Sequence, residues 1–187
     1  SDAQYARGQT IVLAALDYFL DPKDSKKYNS GVITDGNIIV FSAGNDWSPT
    51  PAYPGAYYKF VCVSSVGQDN LPSWFTNYGR GVNIAAPGGD SKLGITILST
   101  LPSEAKSAAG QDYGYIEGTS QATPQVSSTV ALGLSYAKKL GKKFTRDEFI
   151  SMLLTSVDDL DNRLTGTKIA GDRTMNLDNY KGKMGTG

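Results

Sequence analysis

In the first half of the chain, the apolar positions form short and mostly unbroken runs. Residues 38–42 and 60–66 are rich in β-branched side chains, and residues 82–85 and 96–99 form shorter runs. Such runs are typical of strands that are covered on both faces, as in parallel sheets, whereas half-exposed strands alternate apolar and polar residues. The pattern predicts a mostly parallel sheet of short strands and leaves residues 101–114 as a loop.

Three other segments have helical spacing. Residues 120–140 repeat small and apolar side chains every three or four positions and carry no charge before Lys138, which predicts a buried central helix. Thr145 and Glu148 have the spacing of a capping box and predict a helix over residues 145–155. Residues 8–20 are apolar around most of a helical projection, so we expect that helix to be buried as well.

Strands interleaved with helices favour an α/β fold, here a doubly wound, mostly parallel sheet flanked by helices. Residues 21–37 are polar and turn-rich, which predicts a surface insertion. Ligands of such folds bind beyond the carboxyl ends of the strands. The loops that follow residues 42, 66 and 85, and the loop before residue 120, are therefore the expected location of a site.

Composition limits the classes of function. The 187 residues fit one domain, and 18 basic residues balance 18 acidic ones, which argues against a nucleic-acid partner. The lysines at 138–143 are interpreted as the solvated end of a helix. The sequence has no run of about 18 apolar residues, which is the length that a membrane-spanning helix needs. With one cysteine and no histidine, the chain holds neither a disulfide nor the usual catalytic base.

The segment Gly-Thr-Ser-Gln-Ala-Thr-Pro at residues 118–124 precedes the predicted central helix. A serine at this position faces free backbone N–H groups and the positive end of the helix dipole, which suits a nucleophile whose product is an oxyanion. Gly118 lets a substrate backbone come close to Ser120. The alternative is that the segment serves only as a Ser/Thr helix cap.

Asn45 follows the first predicted strand in the segment Ser-Ala-Gly-Asn-Asp, residues 42–46. A side-chain amide at the end of a buried strand can point into a cleft and donate a hydrogen bond to a developing oxyanion. The alternative is an ordinary turn asparagine.

Five segments occur in order along the chain: residues 42–46, 53–57 (Tyr-Pro-Gly-Ala-Tyr), 83–88 (Asn-Ile-Ala-Ala-Pro-Gly), 97–102 (Ile-Leu-Ser-Thr-Leu-Pro) and 118–126. Together they resemble the C-terminal half of a subtilisin-like serine protease domain, and the resemblance covers nearly the whole chain. It implies a partial subtilisin-like fold and hydrolysis of peptide bonds in peptides or proteins through an acyl-enzyme.

By this resemblance, Ser120 corresponds to the nucleophile, and Asn45 to the side-chain donor of the oxyanion hole beside the Ser120 N–H. The resemblance also implies a set of residues that line or adjust the substrate pocket: Ala43, Gly44, Asp46, Ala52, Tyr53, Pro54, Gly55, Gly118 and Thr119.

The chain departs from the family pattern in several positions. In that family the catalytic aspartate and histidine precede the serine, and this chain has no histidine. We therefore expect residues 1–187 to be the C-terminal half of the domain, inactive alone, with the missing N-terminal half as its partner. The alternative is a pseudoprotease or peptide-binding module that keeps the cleft without the base. Gln121 and Gln125 stand where the family usually has methionine and histidine.

No cofactor is expected. Calcium is possible by resemblance, but Asn83 offers no carboxylate at one cation-binding segment of the family, so we expect no strong metal site. The acidic residues at 158–161 lack the pattern of a calcium loop and are interpreted as a solvated turn. A secreted or cell-envelope location is implied by the resemblance alone.

Three further features have competing interpretations. Ser135 and Lys138 match the S-x-x-K motif of β-lactamases, but neither S-D-N nor K-T-G follows. Cys62 lies in a predicted strand and is interpreted as a buried apolar side chain rather than a nucleophile. The aromatic residues near the predicted cleft either stack on a peptide or cap the core: Trp47, Tyr53, Tyr57 and Tyr58.

Overall fold

The computed structural model describes residues 1–20, 31–102 and 112–187. Its central sheet has three parallel strands in the order β1 (Val40–Ser42), β2 (Val61–Val66) and β3 (Ile84–Pro87). Two antiparallel hairpins pair β4 (Ile97–Thr100) with β5 (Tyr113–Ile116), and β6 (Thr167–Ala170) with β7 (Arg173–Asn176). The helices are α1 (Asp2–Gly8), α2 (Thr10–Leu20), α3 (Thr119–Lys139) and α4 (Arg146–Thr155). Short 3₁₀ turns span Ser91–Leu93, Asp161–Arg163 and Leu177–Tyr180.

The parallel sheet and its central helix confirm the predicted fold class. All six residues of β2 are buried, as expected for a strand with a neighbour on each side. Helix α3 packs across the three strands through Ala122, Val126 and Val130, which join Val61 and Val63 of β2 in one core cluster. The helix therefore begins directly beyond the carboxyl edge of the sheet.

The capping box that the sequence predicts is present at the start of α4. The Thr145 hydroxyl accepts a hydrogen bond from the Glu148 N–H, and the Glu148 carboxylate accepts one from the Thr145 N–H. Phe149 and Leu153 of this helix are buried in the same core cluster as β2. The local motif and the apolar face together determine this element.

The helix predicted over residues 8–20 is present as α2, which begins at Thr10 after the separate short helix α1. The expectation that this helix is buried is wrong. Only Leu13 and Leu20 of α2 are buried, and Ile11 is 87% exposed. The apolar pattern was correct, but no described part of this chain covers the outer face of the helix. Helix α3 likewise leaves one side open, with Leu132 72% exposed.

The sequence analysis also missed three strands. Strand β5 lies at the end of the region predicted as loop, and the β6–β7 hairpin lies in a region that was interpreted only as turn-rich. Strand β4 exists but pairs only with β5. In the predicted insertion over residues 21–37, the described part includes Val32 and Ile33, which are buried. Ile33 also bridges to Phe144, so these residues pack on the domain.

In the part of the chain that the structure describes, none of the helices combines the length and apolarity needed to cross a bilayer.

Candidate active site

The loop after β1 and the first turn of α3 meet at the carboxyl edge of the parallel sheet. The Oδ1 atom of Asn45 accepts two hydrogen bonds from Thr119, one from its N–H and one from its hydroxyl, both at 2.8 Å. The Gly44 N–H donates to the same hydroxyl at 3.2 Å. Thr119 directly precedes Ser120, so these contacts bring the two candidate catalytic residues together, as the sequence predicts.

This arrangement determines which way the Asn45 amide points. A backbone N–H can only donate, so the atom that faces the N–H of Thr119 must be the amide oxygen. The Asn45 NH₂ group is then directed away from Thr119, and it has no hydrogen-bond partner within the described residues. Thr119 was predicted to contact a substrate. Its side chain is fully buried and bonded to Asn45 and Gly44, so it orients the amide instead.

Ser120 is exposed at the start of α3. Among the described residues, neither its hydroxyl nor its backbone N–H has a hydrogen-bond partner. Two shallow grooves flank it, one between β1 and α3 and the other between β4 and α3, and Ser120 and Pro124 line both. The two donors without a described partner, the Ser120 N–H and the Asn45 amide, lie near each other, because a Cβ on Gly118 would be 3.6 Å from the Ser120 nitrogen and 3.5 Å from Asn45 Nδ2. Both lie at the positive end of a 21-residue helix.

Glycines permit the close approach of the loops at this point. Gly44 has φ +104°, and a Cβ there would lie 2.4 Å from the Asn77 Nδ2 atom. Gly118 has φ +154°, and its Cβ would crowd the Gln121 side chain at 2.8 Å. The Gly118 N–H donates to the Gly88 carbonyl at 2.9 Å, which ties the serine loop to the end of β3. A side chain at Gly44 would displace Asn77, and a side chain at Gly118 would be strained by the positive φ angle.

Asn77 holds the loop that carries Asn45, and the sequence analysis missed it. Its side-chain oxygen accepts from the N–H groups of Asp46 and Ser48 at 2.8 and 3.0 Å. Its NH₂ group donates to the Ala43 carbonyl and to the Asp46 carboxylate, both at 3.1 Å. The residue is 1% exposed. An asparagine beside Thr and Tyr resembles any turn residue, so no local signal marks it.

Replacing Asn77 by aspartate should destabilise the fold. The new carboxylate oxygen would face the Ala43 carbonyl and the Asp46 carboxylate, so two donated hydrogen bonds become repulsive contacts. We expect a loss of about 2–3 kcal/mol or more in the free energy of unfolding, measured by urea denaturation. The control is Asn179→Asp, the same change at an exposed position, and equal stabilities of the two variants would contradict the role of Asn77.

The predicted walls of the substrate pocket also meet. The Ala52 N–H donates to the Ala43 carbonyl at 2.7 Å, and a Cβ at Gly55 would lie 2.3 Å from the Ser42 carbonyl oxygen. Residues 43–44 and 52–55 therefore face each other next to Asn45. Asp46, which is exposed, directs one carboxylate oxygen to Asn77, and Pro54 follows Tyr53 through a cis peptide bond.

The aromatic residues near the candidate site differ in burial. Tyr57 is buried among Phe60 and Leu13 and belongs to the core, whereas Tyr58 is 71% exposed. Tyr53 stacks on Tyr5 with ring centroids 4.6 Å apart. Its hydroxyl donates to the Asp2 carboxylate at 2.7 Å, and this hydrogen bond raises the pKa of Tyr53 to about 12.

Cys62 is buried in β2, and burial raises the pKa of its thiol to about 12. Because the thiolate is the reactive form, we expect very slow alkylation by iodoacetamide in the folded chain. The rate should rise about tenfold per pH unit between pH 7 and 10, without a plateau, whereas the urea-unfolded chain should level off above its ordinary pKa of about 8.5. A plateau near pH 9 in the folded chain would contradict this assignment.

Among the described residues, no titratable side chain forms a hydrogen bond with the Ser120 hydroxyl, so none of them is positioned as its acid–base partner. Over the same ranges, no group of three or more Cys, Asp or Glu side chains is arranged to hold a metal ion. Among the described residues, the site thus combines an exposed serine with N–H donors that have no partner, and the sequence contains no histidine to act as a base.

The fold and the site define an α/β protein with an exposed serine at a helix N-terminus and a side-chain amide bonded to the residue before it. A family model described as "Subtilase family" matches residues 12–174. The chain therefore belongs to the subtilase family of serine proteases, as the five sequence segments predicted.

Individual relatives agree with this assignment. The chain is 32% identical over 130 residues to an extracellular basic protease of Dichelobacter nodosus, covering 69% of this chain and 21% of the relative. It is 30% identical over 147 residues to the major intracellular serine protease of Bacillus subtilis (strain 168), covering 75% and 42%. The chain thus spans less than half the length of these relatives.

Solved structures share the fold. A protease from Pseudoalteromonas arctica PAMC 21717 has 31% identity and a TM-score of 0.57, covering 66% of this chain and 37% of that one. A lanthipeptide protease has 26% identity and a TM-score of 0.59, covering 74% and 46%. The similarity supports a partial subtilisin-like fold.

Proposed function

We propose that this chain is the part of a subtilase serine endopeptidase that carries the nucleophile and the oxyanion hole. The observation that carries the proposal is the hydrogen bonding of Thr119 to the Asn45 amide oxygen, which leaves the Asn45 NH₂ group free next to the loop that carries Ser120. The free Ser120 N–H supplies the second donor. In subtilisin, removing the asparagine donor lowers kcat by about 10²–10³, so such a donor contributes strongly to catalysis.

In the proposed reaction, the Ser120 Oγ attacks the carbonyl carbon of the scissile peptide bond and a base takes the hydroxyl proton. The resulting oxyanion accepts hydrogen bonds from the Asn45 amide and the Ser120 N–H. The C–N bond then breaks, the amine leaves with that proton, and an ester to Ser120 remains. Water hydrolyses the ester, which releases the acid and restores the hydroxyl.

Histidine is the base in the serine protease triad, and the sequence contains none. We propose that an N-terminal half of the same domain supplies it. Three surfaces support a missing half: the edge of β1 that pairs with no described strand, the exposed apolar face of α2 and the exposed side of α3. Their apolar side chains would be covered by the strands and helices that complete a doubly wound sheet.

The test compares this chain with the full-length protein in reaction with a fluorophosphonate, which forms a covalent bond to an activated serine. We expect rapid labelling of Ser120 in the full-length protein, located by peptide mass spectrometry, and negligible labelling of the isolated chain. Absence of labelling in a folded full-length protein whose upstream segment contains an aspartate and a histidine would overturn the proposal.

Replacing Asn45 by alanine in the full-length protein should lower kcat by about 10²–10³ and change KM little, because its amide acts mainly on the oxyanion. Kinetics on a chromogenic peptide measure this effect. Asn179→Ala, at an exposed position, is the matched control. An Asn45 variant with the control's kcat would remove Asn45 from the proposed site.

The second candidate is a pseudoprotease or peptide-binding module, which the absence of histidine favours. It predicts peptide binding without fluorophosphonate labelling in the full-length protein.

We also propose a secreted or cell-envelope location. The Dichelobacter relative is named extracellular, while the Bacillus subtilis relative is named intracellular. That the protein needs no cofactor, with calcium possible only by family resemblance, is likewise a proposal.

A further inference from the structure

Arg173 of β7 lies between the rings of Trp47 and Trp74. Its guanidinium carbon is 4.7 Å from the ring centroid of Trp47 and 4.9 Å from that of Trp74. The Lys92 ammonium lies 5.4 Å from the Trp74 ring. We call these four residues the cation–indole cluster. The sequence contains no other tryptophan.

The cluster holds two cations and lies beside one carboxylate. Within residues 1–20, 31–102 and 112–187, neither the Arg173 guanidinium nor the Lys92 ammonium makes an ion pair or a side-chain hydrogen bond. The carboxylate of Glu117 contacts the same Trp74, but it already accepts hydrogen bonds from the Trp74 Nε1–H at 3.2 Å and the Ser91 hydroxyl at 2.7 Å. Arg173 and Lys92 therefore have no direct ion pair among the described residues, and the Glu117 carboxylate beside Trp74 offsets one of their two positive charges.

The indoles do not need Arg173 to hold them in place. The Trp47 Nε1–H donates to the Tyr180 hydroxyl at 2.8 Å, and its backbone N–H donates to the Phe75 carbonyl at 2.8 Å. These bonds hold Trp47 at φ +53°, a conformation that non-glycine residues rarely adopt. Trp74 is bonded to Glu117. The two rings thus form a preformed slot, and the arginine occupies it.

The guanidinium carbon lies within 5 Å of both ring centroids, and no described residue accepts a hydrogen bond from the guanidinium N–H groups. The edge of an arginine matches a carboxylate, with two parallel N–H groups donating to two oxygens. Trp47 is 41% exposed, and Arg173 is partly exposed, so the edge can be reached from solvent. Stacking also lowers the entropy that the side chain would lose on binding.

The cluster lies close to the candidate catalytic residues. Trp47 follows Asn45 by two residues, and Trp74 is bonded to Glu117, three residues before Ser120. Since an extended chain spans at most about 3.6 Å per residue, the Glu117 backbone lies within about 11 Å of Ser120. An extended peptide covers that distance in roughly three or four residues.

We propose that the cation–indole cluster is a subsite for an acidic side chain of a bound peptide, with Arg173 donating to the carboxylate and Lys92 adding a second positive charge. The place of this subsite in proteolysis rests on the proposed function, but the binding does not need catalysis. The predicted preference is for glutamate or aspartate within a few residues of the scissile bond.

The test uses the 187-residue chain and pairs of peptides that differ only in Glu or Gln at one position, scanned along the peptide. Both tryptophans of the chain lie in the cluster, so their fluorescence reports binding directly. At low salt we expect one position at which the Glu peptide binds about fivefold more tightly than the Gln peptide, and a smaller ratio in 0.5 M NaCl.

The variant Arg173→Gln should reduce that ratio to about one, and Lys92→Gln should reduce it in part. The matched control is Arg163→Gln, a change at an exposed arginine of the 3₁₀ turn Asp161–Arg163. It should leave the Glu/Gln binding ratio unchanged. If Arg173→Gln fails to fold, Arg173→Lys keeps the charge without the planar edge and should also lower the ratio. No Glu preference at any position, or a preference that both Arg173 variants retain, would overturn the proposal.

The two proposals fail separately. Glu discrimination by the chain, together with absent fluorophosphonate labelling of the full-length protein, would support the subsite and refute the protease. Labelling without Glu discrimination would do the reverse. In an active full-length protein, the same peptide pairs should differ in KM and have similar kcat, whereas a purely structural role of Arg173 would affect both peptides equally.

Discussion

Replacing Ser120 by alanine in the full-length protein should abolish fluorophosphonate labelling and peptide hydrolysis. In subtilisin, loss of the catalytic serine lowers kcat by about 10⁶, and this serine occupies the same kind of position, at a helix N-terminus with free donors beside it. We expect a comparable loss, measured with a chromogenic peptide and by labelling. The fold should be retained, because the Ser120 hydroxyl bonds to no described residue.

The matched control is Ser128→Ala, a change of the same kind at another exposed serine of α3. It should keep most of the activity, since Ser128 lies about two helical turns beyond Ser120. Full proteolysis by the Ser120 variant, with unchanged circular dichroism, would mean that this serine is only a helix residue. Loss of activity in both the Ser120 and the Ser128 variant would indicate that this part of α3 tolerates no substitution.

Replacing Lys168 by methionine should cause the largest loss of stability. The Lys168 side chain is 3% exposed, and its ammonium lies 2.8 Å from the Asp90 carboxylate and 3.1 Å from that of Asp69. It also donates to the Pro72 carbonyl at 2.8 Å. Methionine would leave the fully buried Asp90 charge unpaired, and breaking one partner of a buried ion pair costs about 3–5 kcal/mol.

Urea denaturation measures this effect, and Lys59→Met is the matched control. Lys59 pairs with Asp17 at 2.6 Å, but both side chains are partly exposed, at 32% and 46%. We therefore expect that change to cost about 1 kcal/mol or less. Adding Asp90→Asn to Lys168→Met should recover part of the loss, because it removes the unpaired charge. Equal losses of stability in Lys168→Met and Lys59→Met would show that burial does not raise the cost of removing the lysine charge.

The Lys168 ion pairs also bear on the candidate site. Asp90 lies two residues after Gly88, whose carbonyl accepts the N–H of Gly118. The β6–β7 hairpin carries both Lys168 and Arg173, so it holds the loop behind Ser120 and fills the slot between the tryptophans. A region that the sequence presented only as turn-rich thereby supports the candidate active site.

The sequence by itself determined the elements whose signals are local. The run at 60–66 predicted the buried central strand, the Thr145–Glu148 spacing predicted the cap of α4, and the segments around Asn45 and Ser120 predicted the site and the family. Each signal is carried by neighbouring residues, through burial on both faces of a strand or hydrogen bonding within one helical turn.

The tertiary structure alone decided what depends on residues distant in sequence. Asn77 stabilises the Asn45 loop from 32 positions away, Thr119 turns the amide of Asn45 across 74 positions, and Arg173 enters a slot built from two other loops. The sequence likewise could not show that α2 and α3 have exposed apolar faces, because an apolar face has the same sequence pattern whether or not a partner covers it. A chain's local pattern specifies which faces need cover, and the fold determines which atoms provide it.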